Sequence, residues 1–198
     1  MDYSQFFNMI PEAGLMAILV IVFLADLFLK GEKKHTTLSM LTCALLVAQV
    51  VLCFSAQPAE AFAGLYTATA AAQVMKVILT AGAFIVVVMA QSWIEREDVL
   101  RKEGEFYELI ISTLLGMYMM ISSGHFLMFF LGLEMASVPM ACLVAFDKYK
   151  KISAEGAAKF TSPLHSQAVL CSMASRSSMV LVAHSTLTIW LPRLAQAH

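Results

Sequence analysis

Residues 126–146 read FLMFFLGLEMASVPMACLVAF, twenty-one positions holding one charge, Glu134, and one proline, Pro139. A bilayer core takes about 20 apolar residues of α-helix, so this stretch has the length and composition of a membrane span. Four more stretches, working outward from it, meet the same test: about Met9 to Leu29, Leu38 to Phe54, Val74 to Trp93 and Phe106 to Ser122. Charged residues collect between them. The 198-residue chain is 60% hydrophobic and 14% charged, with a mean hydropathy of +0.76, values outside the range of soluble domains. The fold expected is all-α: a polytopic transmembrane helical bundle of five spans, with a possible partial sixth. The first stretch lacks a basic segment before it and ends in Lys30 to Lys34 instead of a small-residue cleavage site, so it reads as a retained helix and not a secretory signal.

Orientation follows from the basic residues. Lys30, Lys33 and Lys34, then Arg96, Arg101 and Lys102, then Lys148, Lys150 and Lys151 make up nine of the thirteen Lys and Arg, and they follow the first, third and fifth spans. The connections after the second and fourth spans hold none. Positive loops stay in the cytoplasm, which places the N-terminus outside. A net charge of −1 leaves no basic surface able to neutralise a phosphate backbone, so no nucleic acid partner is expected. Cys43, Cys53, Cys142 and Cys171 show no ligand spacing and read as small core residues. With no phosphate-binding loop, no Ser/His/Asp arrangement and no metal-ligand pattern, the chain is expected to bind no metal and no cofactor of its own.

The candidates for chemistry are the ionisable residues inside spans, each of which costs a few kcal/mol on insertion scales. Glu134 lies about eight residues from the start of its span, too deep for a short side chain to reach water. Such a carboxyl either stays protonated or finds a cation, and its pKa then answers to anything that moves that cation, as a proton relay requires. The plainer alternative is a neutral Glu that hydrogen-bonds helix to helix. Pro139 frees backbone polar groups nearby, which favours a bend or admitted water. Lys159 sits in SAEGAAKF (153–160), where a sixth span would begin; the alternative is a lysine that reaches back to the cytoplasmic interface. Lys76, near the start of the third span, reads as snorkelling to water. Asp26 and Glu108 also lie within reach of an interface, and His125 is an interfacial group or a proton entry point.

The stretches EFYELIISTLLGM (105–117), FLMFFLGLEMASVP (126–139) and SAEGAAKF (153–160) together resemble the antiporter-like subunits of the proton-pumping NADH-quinone oxidoreductase, respiratory complex I, and among them subunit N. The resemblance covers residues 1–160 in layout and is specific at 105–160. It implies an N-terminal part of such a subunit, with three leading helices and their loops in 1–104 and the start of the first antiporter-like helical unit in 105–160. It implies a proton-relay role for Glu134, as the glutamate of the fifth helix, and for Lys159, as the lysine opening the sixth. It implies a multi-pass protein of the bacterial inner membrane whose partners are the lipid bilayer and the other membrane subunits, with quinone as the substrate of the complex. NADH, flavin and iron–sulfur clusters belong to other subunits, and the chain alone is expected to be inactive. Two other readings stay open: a small polytopic scaffold or assembly protein without transport, and a cation/proton antiporter subunit of the same superfamily.

The family pattern breaks after Phe160, where the chain continues TSPLHSQAVLCSMASRSSM (161–179), poor material for a span. Residues 161–198 are therefore expected to be aberrant, with 161–191 a frameshifted reading of the gene. In the frame beginning on the third codon base, Met173–Ala174 and Met179–Val180 must each give glycine. Ser172 and Ser178 each supply a codon ending AT, which permits tyrosine, so two TyrGly pairs six residues apart become possible. Translation of the DNA for 161–191 in that frame is expected to give an uninterrupted apolar stretch with both pairs; a stop codon inside the window, or charged residues throughout it, would end the idea and favour the alternative, a natural divergent tail.

Overall fold

The computed structural model describes residues 9–29, 34–55, 59–61, 66–94, 102–146, 155–156 and 158–162. The chain divides into two units, Met1–Phe160 and Thr161–His198. Of the second unit only 161–162 are described, so the reading-frame expectation lies almost wholly outside the described residues. The basic clusters at 30–33, 96–101 and 148–151 lie outside them too.

The first unit contains α1 (Ile10–Phe28), α2 (Lys34–Ser55), β1 (Ala59–Ala61), β2 (Tyr66–Ala68), α3 (Ala70–Ile94), α4 (Glu103–Ile121) and α5 (Phe126–Val144). Each expected span corresponds to one helix. The all-α expectation holds, with one addition: the second connection folds into a short antiparallel hairpin that pairs Ala59 with Ala68 and Ala61 with Tyr66. By length and composition α1, α2, α3 and α5 are able to cross a membrane. Acidic Glu103, Glu105 and Glu108 crowd the start of α4.

Burial explains why α4 nevertheless belongs inside. It buries ten residues, among them Tyr107, Ile110, Ile111, Leu114, Leu115 and Tyr118, and it packs against α1, α3 and α5. The apolar positions of α1 recur at Leu15, Ile18 and Val22, the spacing that lines one helical face. With Leu38, Leu46, Cys53, Val87 and Ile94 they form one core. The opposite faces stay apolar: Phe23, Leu27, Val51, Phe54, Ile78 and Met89 are exposed. An exposed apolar surface of this extent suits lipid and not water, in keeping with a membrane location.

Close backbone contact joins α4 to α5, which packs chiefly on α4. A Cβ on Gly116 would lie 2.7 Å from the Met135 carbonyl carbon, and closer still to the Ala136 nitrogen. On the facing helix, a Cβ at Gly132 would lie 2.8 Å from the Met120 nitrogen. Paired glycines let two helices approach until backbones touch. A different contact governs the start of α4, where the Asp26 carboxylate of α1 lies directly against Gly104 and leaves no room for a Cβ. A carboxylate at a helix N-terminus also meets the positive end of the helix dipole.

The turn after α4 is tied to the hairpin. Thr67 donates its N–H to the Ser122 carbonyl at 2.9 Å, and Tyr66 forms an isolated bridge with Ser123. His125 then caps α5, its Nδ1 accepting from the Leu127 N–H at 3.2 Å. That cap accounts for the histidine at this point of the chain.

Candidate functional site

Pro11 and Glu12 open α1, proline being favoured in a first helical turn and a carboxylate favoured beside the N-terminal dipole. Glu12 is not among the residues the sequence singles out, yet it is the centre of the largest buried polar cluster among the described residues. Lys76 Nζ meets Glu12 Oε1 at 2.5 Å, with side-chain exposures of 0% and 5%. Ser122 Oγ donates to the same oxygen at 3.0 Å, and the Tyr66 hydroxyl donates to Oε2 at 2.9 Å. Rings of Tyr66 and Tyr118 flank the ammonium at 5.6 and 5.5 Å, within the range of a cation–π attraction.

Lys76 therefore does not snorkel. Helix α3 begins at Ala70, four residues before the span expected from hydropathy, so Lys76 lies close to two turns inside. There it meets a carboxylate instead of water. Burial of either charge alone is costly, and each offsets the cost of the other. Burial first, and then the negative charge of Glu12, raise the Tyr66 phenol above its ordinary range, which keeps it a neutral donor.

The cluster continues through neutral groups. Thr80 Oγ1 donates to the Lys76 carbonyl at 2.7 Å and shares a 2.5 Å contact with the Tyr118 hydroxyl. The Tyr118 oxygen lies 3.1 Å from Cys53 Sγ. Gln49 Nε2 approaches Cys53 Sγ at 3.9 Å and donates to the Pro11 carbonyl at 2.6 Å. Starting at Glu12, the chain of contacts thus returns to the residue before it. Among the described residues it is a closed knot drawing on α1, α2, β2, α3 and α4.

Glu134 is placed differently. Gly132 and Ala136 face α4, and a residue two positions from each projects from the other side of a helix. Its half-buried side chain has no hydrogen-bond or ion-pair partner among the described residues; only its backbone carbonyl is engaged, by Ser137 Oγ at 3.3 Å. Helix α5 runs on through Pro139. Lys159 is 76% exposed and pairs with Glu155, one turn earlier, at 2.7 Å. No hydrogen bond or ion pair joins Lys159 to Glu134.

Glu108 lines a cleft of about 580 Å³ with Lys102, which precedes α4, Glu105 and Ser112 of α4 and Cys142 of α5. Cys53 is buried and Cys43 half-buried, as small core residues should be, but Cys142 is exposed because α5 buries only Gly132. Cys171 lies outside the described residues. Among the described residues no group of three His, Cys, Asp or Glu is placed to hold a metal ion.

No family model matches the chain. Among curated proteins, "NADH-quinone oxidoreductase subunit N" of Phocaeicola vulgatus is 50% identical over 160 residues, 81% of this chain and 34% of the relative. The protein of the same name from Azobacteroides pseudotrichonymphae is 40% identical over 174 residues, 86% of this chain and 36% of the relative. That of Nitrosomonas europaea is 30% identical over 194 residues, 94% of this chain and 38% of the relative. Over most of its length the chain is similar to proteins named NADH-quinone oxidoreductase subunit N, and it spans about a third of the length of the curated relatives it matches.

Proposed function

We propose that the chain is a membrane subunit of NADH-quinone oxidoreductase, respiratory complex I, and contributes to proton translocation coupled to electron transfer from NADH to quinone. In this reading it lies in the bacterial inner membrane with its N-terminus outside and assembles with other membrane subunits. NADH, flavin and iron–sulfur clusters are handled by those other parts of the complex. Kinship with relatives so named supports the assignment to the complex.

One observation carries the proton chemistry. Among the described residues two carboxylates of apolar helices, Glu12 buried in the first turn of α1 and Glu134 well inside α5, differ in how they are bound. Glu12 is saturated by three donors, whereas the Glu134 carboxylate is held by nothing among the described residues. A relay must take up and release protons as a nearby cation comes and goes, so it needs the second kind of site. Lys159, exposed and among the described residues paired with Glu155, is the cation assigned to it.

Glu134→Gln keeps the shape and removes titration, while Glu134→Asp keeps titration and shortens the reach. In vesicles carrying the assembled complex, the Gln variant is expected to lose proton translocation by about tenfold or more, the Asp variant less. Wild-type pumping by the Gln variant would refute the relay and favour the scaffold reading, in which Glu134 is only a neutral hydrogen-bonding group.

A further inference from the structure

Helix α1 carries two acidic residues apart from its apolar face, Glu12 and Asp26, and each touches one end of α4. Glu12 accepts from Ser122, the residue that closes the C-terminal end of α4. Asp26 lies against Gly104 in its first turn. The two carboxylates are fourteen residues apart on α1, about 21 Å along the axis, and the two helices run in opposite directions, so one end of α4 is fastened at each. Helix α5 has little support apart from α4, and it meets that helix backbone to backbone through Gly116 and Gly132. Glu134 stands eight residues into α5, about 12 Å from its start.

We propose that Glu12 and Lys76 are positioning residues for Glu134. Helix α1 acts as a strut that fixes the axial placement of α4, and α4 in turn sets the depth of the carboxylate on α5. The inference rests on the relay reading of Glu134. The ammonium is what allows a charged Glu12 to stay turned inward toward Ser122 in a site with almost no exposure. Without it the carboxylate takes up a proton or turns to water, and the Ser122 hydroxyl loses its bond to α1, leaving that end of α4 held by the Thr67 backbone bond and Tyr118. Asp26 still holds the far end, so α4 pivots there and its outer half moves, carrying α5. The groups facing Glu12 are Lys76 from α3, Tyr66 from β2 and Ser122 from α4, with Tyr118 and Cys53 beyond Lys76.

The test uses the full chain in lipid vesicles and a hydrophobic carbodiimide, which couples to a protonated carboxyl. Modification of Glu134 is followed against pH by mass spectrometry of its peptide, with helix content checked by circular dichroism. Lys76→Ala is expected to move the midpoint by one pH unit or more, a tenfold change in modification at fixed pH. Ethylammonium, an alkylammonium like the side-chain end that the substitution removes, is expected to restore most of it, whereas sodium at equal ionic strength is not. Ser122→Ala leaves in place the ion pair, the Thr67–Ser122 backbone bond and the Tyr118 contacts, and cuts only the direct hydrogen bond from Glu12 to the end of α4; it is expected to move the midpoint in the same direction by less, and it serves should Lys76→Ala fail to fold. A midpoint unchanged in Ser122→Ala and in a folded Lys76→Ala would overturn the positioning role while leaving the relay intact. Modification of wild-type Glu134 with no dependence on pH would remove the relay reading, and the positioning role with it.

Discussion

Lys76→Met is expected to destabilise the chain in a bilayer by about 3–5 kcal/mol, the range for removing one partner of a buried ion pair. Methionine fills most of the lysine stem, so the loss comes from charge and not from a cavity. Glu12 would keep the hydroxyls of Tyr66 and Ser122 but lose its counter-charge at a site only 5% exposed. The double variant Glu12→Gln with Lys76→Met removes both charges and is expected to recover most of the loss, because neutral replacements of buried pairs are often tolerated. Reversible unfolding in bicelles measures all three proteins. A single variant within about 1 kcal/mol of wild type, or a double variant no better than the single, would sink this account of the knot.

Gly116→Val is expected to force α4 and α5 apart at a cost of about 3 kcal/mol, at the upper end for overpacking. The atoms a side chain would meet at Gly116 are backbone atoms of Met135 and Ala136, which cannot turn aside as a flexible side chain does. The same change at Gly82 in α3, where nothing lies within 4 Å of the added Cβ, is expected to be harmless. Spin labels on the outer faces of α4 and α5 report the separation, and unfolding reports the cost. Equal effects at the two glycines would contradict the close approach.

The five helices are legible in the sequence because each is a long apolar run with charges at its margins, and a run of that length admits little else. Glu134 is legible for the same reason: a lone charge stands out in apolar surroundings. The Glu12–Lys76 pair is not. Its members are 64 residues apart and both stand near span ends, where a charged side chain by default reaches water. The true start of α3 at Ala70 adds a turn to the depth of Lys76, and hydropathy alone reads the span from Val74. One signal was present: in the orientation expected from the alternation of basic loops, Lys76 stands at the end away from those loops, against the positive-inside tendency, and an isolated cation there calls for an anion at the same level. The hairpin left no trace, since three-residue strands in an Ala-rich segment show no readable alternation. Nor could spacing show that Gly104 makes room for Asp26, because that contact belongs to the packing of two distant helices.

The knot also imposes a chronology on synthesis. Its bonds to Glu12 span 54, 64 and 110 positions of sequence, and a ribosome delivers those partners in that order. Glu12 emerges first and acquires the Tyr66 phenol, then the Lys76 ammonium, and last the Ser122 hydroxyl, only once α4 has been made. Until α3 arrives the carboxylate has no counter-charge, so the first two helices pass through a stage in which Glu12 must remain hydrated or protonated. Closure of the knot is therefore a late event, and it registers that four helices have been threaded in their proper alternation.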